Sequence, residues 1–178
     1  MSEHIPIEGR PGIGYFPYEQ DNKNRILVMG IGNFLMGDEG IGVHLAQKLE
    51  KKGCPPNVDV IDGGTGGFSL MGYFDDYPVI IFIDATMDGK PPGSVSLIQP
   101  KFAADFPKTL SVHDVGLKDM VEAVYITGKV PKMYLFTISI TEIKPMTMEL
   151  SREVEASIPV LMEQIEKLAA NETFNHDH

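Results

Sequence analysis

Ile26, Leu27, Val28 and Met29 form a continuous apolar run that Gly30 and Gly32 close. A short run without alternation suits a strand buried on both faces. Ile41, Leu45 and Leu49 then recur at four-residue intervals until Gly53. That spacing predicts an amphipathic helix with Asp38 as its N-cap, so the chain opens as a βαβ unit. The alternation continues. Val58, Val60 and Ile61 predict a second strand that leads into Asp62-Gly63-Gly64-Thr65-Gly66-Gly67, and Phe68, Met71 and Phe74 predict a brief helix. Val79 to Ile83 is a third strand ending at Asp84. Val95, Leu97 and Ile98 mark a fourth after a turn rich in glycine and proline.

Ser111 and Asp114 resemble a capping arrangement ahead of the stripe Leu117, Met120, Val121 and Val124, which predicts a helix with His113 at or just before its first turn. Met133 to Ile140 is rich in strand formers. Val154, Ile158, Leu161, Ile165 and Leu168 stripe a last helix from about Ser151 to Ala170. Pro159 interrupts that stripe, and a kink or a later helix start is expected there. Strands alternating with helical stripes predict an α/β fold: a three-layer sandwich around a mainly parallel, doubly wound sheet of about five strands. Residues 25–170 form the domain in this reading. Residues 1–24 have no periodic pattern and are read as an N-terminal extension, and residues 171–178 as a mobile tail.

Composition narrows the function. At 178 residues and 43% apolar content, a single domain with a substantial core is expected. Fifteen basic against 25 acidic side chains give a net charge of −10, which offers no positive field to nucleic acid or to an anionic membrane. No stretch approaches the roughly 20 apolar residues of a spanning helix, and the N-terminus lacks the basic start and apolar run of a signal peptide. A cytoplasmic monomer with no membrane partner is the expectation. The single cysteine, Cys54, makes neither an internal disulfide nor a thiolate cluster. Any metal falls to His, Asp or Glu.

In an open α/β sheet, ligands lie beyond the carboxyl ends of the strands. The loop from Gly30 to Gly40 invites a dinucleotide reading, but Leu35 occupies the third glycine position and no Lys-Ser/Thr pair follows. Asp38 and Glu39 would also repel a phosphate. Glu39, Asp84 and His113 come from three different strand-end loops. Two carboxylates and an imidazole can hold a divalent cation and leave positions open for substrate. The same residues read equally as a capping Glu, a capping Asp and a surface His, and spacing alone does not decide. Other schemes are weaker. Gly67 to Gly72 has one residue too many for a nucleophile elbow. Cys54, beside Pro55-Pro56, is read as a structural thiol, His44 as a helix-packed or surface histidine, and Asp75-Asp76 as a helix end or turn. His176 and His178 have no fixed scaffold for a metal.

Taken together, Ile26-Leu27-Val28-Met29-Gly30-Ile31-Gly32-Asn33, Asp38-Glu39-Gly40-Ile41-Gly42-Val43, Asp62-Gly63-Gly64-Thr65, Ile83-Asp84-Ala85 and Ser111-Val112-His113-Asp114-Val115-Gly116-Leu117 resemble the hydrogenase maturation peptidases in order and spacing. The likeness runs from about Arg25 to Leu168. It implies an endopeptidase that removes the C-terminal extension of the nickel-loaded precursor of a nickel–iron hydrogenase large subunit. It further implies that Glu39, Asp84 and His113 engage nickel supplied by that precursor. Asp62, Gly63, Gly64 and Thr65 then take part in recognising the metal or the cleavage site, and no side chain is singled out for activating water. The alternative is a non-enzymatic nickel-binding assembly factor using the same three ligands. The extension before Arg25 departs from the family pattern, in which the first strand starts almost at the first residue.

Overall fold

The computed structural model describes residues 22–107 and 116–176. The predicted alternation is present: β1 (Ile26–Ile31), α1 (Ile41–Lys52), β2 (Val58–Gly64), α2 (Gly72–Asp76), β3 (Val79–Thr86), β4 (Val95–Ile98), α3 (Leu117–Thr127), β5 (Lys132–Ser139) and α4 (Arg152–His176). The five strands form one sheet in the order β2-β1-β3-β5-β4. All neighbours pair in parallel except β4, which runs antiparallel to β5 at the edge.

The apolar runs explain the three layers. Successive side chains of a strand point to opposite faces. Ile26 and Val28, Ile81 and Ile83, and Phe136 and Ile138 pack against Ile41, Leu45 and Leu49 of α1 and Val154, Ile158, Leu161 and Ile165 of α4. Leu27 and Met29, Ile80 and Phe82, and Met133 and Leu135 pack on the other side against Phe74 of α2 and Leu117, Met120, Val121 and Val124 of α3. Strands buried on both faces need continuous apolar sequence, which is why their signal is strong.

Chain order reverses at β1. The chain leaves β1 for β2 on one side, then crosses to β3 on the other, so the crevice between the carboxyl ends of β1 and β3 is the topological switch point.

Several expectations are corrected. β3 does not end at Asp84. Its ladder continues through Asp84, Ala85 and Thr86 to Thr137, Ile138 and Ser139 of β5, so the carboxylate lies inside the sheet and is fully buried. Asp38 does not cap α1. A 3-10 turn, Gly37–Gly40, precedes that helix, and Gly40 at its start makes no side-chain cap. The brief helix after β2 is a 3-10 turn, Gly67–Leu70, followed by α2, and the Asp75-Asp76 pair ends α2.

The last helix starts at Arg152 despite Pro159. Pro159 and Glu155, whose carbonyl would otherwise bond to residue 159, are both exposed, so water can serve that carbonyl. Nor does the chain become a free tail at Asn171, because α4 runs on to His176. Glu172 is buried there, bonded by Lys132 Nζ at 2.9 Å and by the Tyr134 hydroxyl. The expected cap of Ser111 and Asp114 lies outside the described residues.

Candidate active site

Glu39 and Asp84 meet at the switch point, placed there by backbone packing that only glycine permits. A Cβ on Gly30 would lie 2.0 Å from the Gly42 carbonyl oxygen, and one on Gly42 would lie 2.2 Å and 2.5 Å from the carbonyl oxygens of Ile31 and Ile83. The first turn of α1 therefore rests directly on the ends of β1 and β3. Gly32, at a φ of 140°, lets its loop close over the Glu39 carbonyl, which a Cβ would meet at 2.2 Å. The Asn33 backbone N–H donates to Glu39 Oε2 at 2.7 Å, and the Leu35 N–H donates to Asn33 Oδ1 at 2.9 Å. Glu39 is only 2% exposed.

Asp84 is 0% exposed. Its Oδ1 accepts the Ala85 N–H at 2.8 Å, while its Oδ2 is buried with no hydrogen-bond partner among the described residues. Burial first, and the charge of Glu39 second, hold the Asp84 carboxyl well above the ordinary carboxylate range. An orphaned buried carboxylate oxygen beside a second buried carboxylate is costly unless a proton or a cation occupies the space between them. The donor set fits a cation.

By the alternation of β3, Asp84 shares a face with Ile80 and Phe82, the side of the sheet that carries α3. His113 closely precedes Leu117, the first residue of α3, in sequence, but lies outside the described residues. Among the described residues no third His, Cys, Asp or Glu joins Glu39 and Asp84 in a metal-sized cluster.

Residues 62–65, the end of β2 and the residue after it, lie on the same edge, so β2 runs past its expected end and takes in Asp62, Gly63 and Gly64. The Gly32 N–H donates to the Gly64 carbonyl at 3.0 Å, and the pairing of β1 with β2 shifts there between Gly30 and Ile31. Asp62 is exposed. Its Oδ1 accepts the Gly64 N–H at 3.0 Å, and its Oδ2 faces Gln47 Nε2 at 3.3 Å. It is a rim residue, separate in environment from the buried pair.

The periodic patterns gave no signal for the segment after β5. Met36 and Thr147 form an isolated parallel bridge, the Gly37 N–H donates to the Thr147 carbonyl at 2.6 Å, and Asp38 Oδ1 accepts the Ser151 N–H at 2.6 Å. The loop carrying Glu39 is thus clamped to the start of α4. His44 stacks on Phe34 with ring centroids 4.6 Å apart, and its Nε2 is buried with no hydrogen-bond partner among the described residues. Cys54 is half-buried at the end of α1, with Sγ 3.8 Å from the Leu49 carbonyl.

The family profile described as hydrogenase maturation protease matches residues 43–168. The chain belongs to the hydrogenase maturation protease family. It is 35% identical over 144 residues to the hydrogenase 2 maturation protease of Escherichia coli strain K12, a span of 79% of this chain and 88% of that one. The hydrogenase maturating endopeptidase HybD from E. coli superposes with a TM-score of 0.71 at 34% identity, covering 79% of this chain and 89% of that structure. The nickel–iron hydrogenase maturation protease HybD from Thermococcus kodakarensis superposes at 0.67 with 30% identity, covering 82% and 99%. These relatives are endopeptidases or proteases by name, so the family is one of hydrolases and the assembly-factor alternative is not favoured. Among the described residues no helix of this family member is long and apolar enough to cross a membrane.

Proposed function

We propose that this peptidase removes the C-terminal extension of a nickel-loaded hydrogenase large-subunit precursor, in the cytoplasm and as a monomer. The observation that carries this reading is the buried Asp84 Oδ2, without a hydrogen-bond partner among the described residues, beside Glu39 at the switch point. Glu39, Asp84 and His113 grasp nickel already held by the precursor. They supply hard oxygen donors and an imidazole, so they engage the ion without competing for it as a thiolate sink. Holding the ion fixes the scissile peptide in register, and cleavage becomes conditional on metal loading. Asp62, Gly63, Gly64 and Thr65, on the same edge, contact the chain around the metal or the cut.

The experiment is incubation of the purified protein with nickel-loaded precursor, followed by mass spectrometry. Release of a C-terminal peptide from the loaded precursor, and none from the metal-free one, is the expected result. A change in metal content without peptide release would instead identify an assembly factor.

A further inference from the structure

Gly40, at the start of α1, and His44 are four residues apart, so they lie one above the other on the same face of the helix. Together they take hold of the loop after β1. A Cβ on Gly40 would lie 2.9 Å from the Asn33 carbonyl oxygen and 3.0 Å from the Phe34 Cα, so the backbone of that loop rests on the glycine. One turn on, the His44 ring stacks on the ring of Phe34 at an interplanar angle of 30°. Phe34 follows Asn33, whose N–H donates to Glu39 Oε2 at 2.7 Å, and precedes Leu35, whose carbonyl accepts the Thr147 N–H at 3.1 Å. The imidazole therefore grips the residue between the bond to Glu39 and the bond to the segment ahead of α4.

We infer that His44 is a positioning residue: its stack on Phe34 keeps the Asn33 N–H aimed at Glu39 and so fixes that carboxylate for the precursor's metal. The inference rests on the proposed role of Glu39 as a ligand and adds the residue that aims it. The neutral ring is the form that fits. Nε2 is buried with no hydrogen-bond partner among the described residues, and a neutral imidazole can leave that nitrogen unprotonated. The imidazolium must carry a proton there, as a buried donor without an acceptor. Burial holds the ring below the ordinary histidine value. The backbone of Met148 opposes that shift, Lys48 of α1 adds to it, and Glu155 of α4 and Asp38 of the 3-10 turn oppose it. Acid therefore drives the ring out of the stack, and the tie loosens as pH falls below the ordinary histidine range.

The test is amide hydrogen exchange at the Asn33 N–H, read by NMR on the full chain without precursor, alongside cleavage of nickel-loaded precursor. His44→Ala should speed exchange at Asn33 and slow cleavage, each at least about tenfold, while Ile81 and Phe82 of β3 exchange at the wild-type rate. His44→Phe, which keeps an aromatic face for Phe34 and takes no proton, should restore both at neutral pH. Between about pH 7 and about pH 5.5 the wild type should lose protection at Asn33, and His44→Phe should keep it. Unchanged exchange at Asn33 in His44→Ala overturns the inference, as does an equal loss on acidification in the wild type and His44→Phe. If His44→Ala does not fold, the comparison of the wild type with His44→Phe across pH decides. Faster exchange at Asn33 with cleavage unchanged supports the tie and sinks Glu39 as a ligand. Slower cleavage with Asn33 still protected overturns the tie and leaves the role of Glu39 standing.

Discussion

The carboxylate of Asp38 accepts the backbone N–H of Ser151 at 2.6 Å, joining residues 113 apart in sequence and tying the loop after β1 to the start of α4. Asp38 is buried and Ser151 half-buried, so the bond is partly withdrawn from water. Asp38→Ala should lower the unfolding free energy by about 1.5–3 kcal/mol in denaturant titrations. Asp38→Asn, which keeps an acceptor oxygen, should recover most of that loss. An alanine variant within about 0.5 kcal/mol of wild type would mean that the tether contributes little to stability.

Asp84 has the opposite sign. Its folded-state carboxyl is raised by burial and by Glu39, so the folded chain holds a proton that the unfolded chain has released. Stability therefore falls as pH rises from the ordinary Asp range through the folded-state value. Asp84→Asn removes that loss and should be about 1–3 kcal/mol more stable at pH 7, with several degrees gained in melting temperature. The advantage should shrink below about pH 4, where both states of the wild type are protonated. The proposed role of Asp84 as a nickel ligand further predicts that activity is lost in the same variant. Melts at pH 4 and pH 7 check this, and a variant less stable than wild type at pH 7 contradicts it.

Gly42→Ala places a methyl group against two backbone carbonyls, those of Ile31 and Ile83, and neither can move without opening the sheet. A destabilisation of about 3 kcal/mol or more is expected. Gly89→Ala is the control, because nothing lies within 4 Å of a Cβ there and only its φ of 79° opposes the change. It should cost about 1–2 kcal/mol. Circular dichroism melts of the pair separate crowding from conformational strain.

A chain ending at Ala170 should be less stable by at least about 2 kcal/mol. It loses the bonds of Glu172 to Lys132 and Tyr134, and that of Thr173 to Asn57 at 2.6 Å. Glu172→Gln in the full chain should retain part of the difference. A free tail would make the truncation neutral.

What the sequence revealed follows from range. Runs such as Val79 to Ile83 and stripes such as Ile41, Leu45 and Leu49 are local patterns, and each became an element close to its expected position. Topology followed because a strand that alternates with helices has few ways to wind. Glu39 in the loop after β1 and Asp84 near the carboxyl end of β3 were legible as candidates, although β3 runs two residues past Asp84, and their meeting follows from the adjacency of β1 and β3. Asp38 was misread because a residue of cap type just before an apolar stripe looks like a cap, whereas its partner, Ser151, is set by tertiary packing. Glu172 was missed for the same reason, since its partners Lys132 and Tyr134 lie on β5. The clamp at Met36 and Thr147 has no periodic signature at all.

The most direct measurement of the account is processing of nickel-loaded precursor by the single variants Glu39→Ala, Asp84→Ala and His113→Ala, read as the mobility shift that follows removal of the extension. Each variant should cut at least about 100-fold more slowly than wild type, because in the proposed function each of the three side chains is a ligand whose loss releases the scissile peptide from register. Cleavage by all three at the wild-type rate would contradict the assignment of the site.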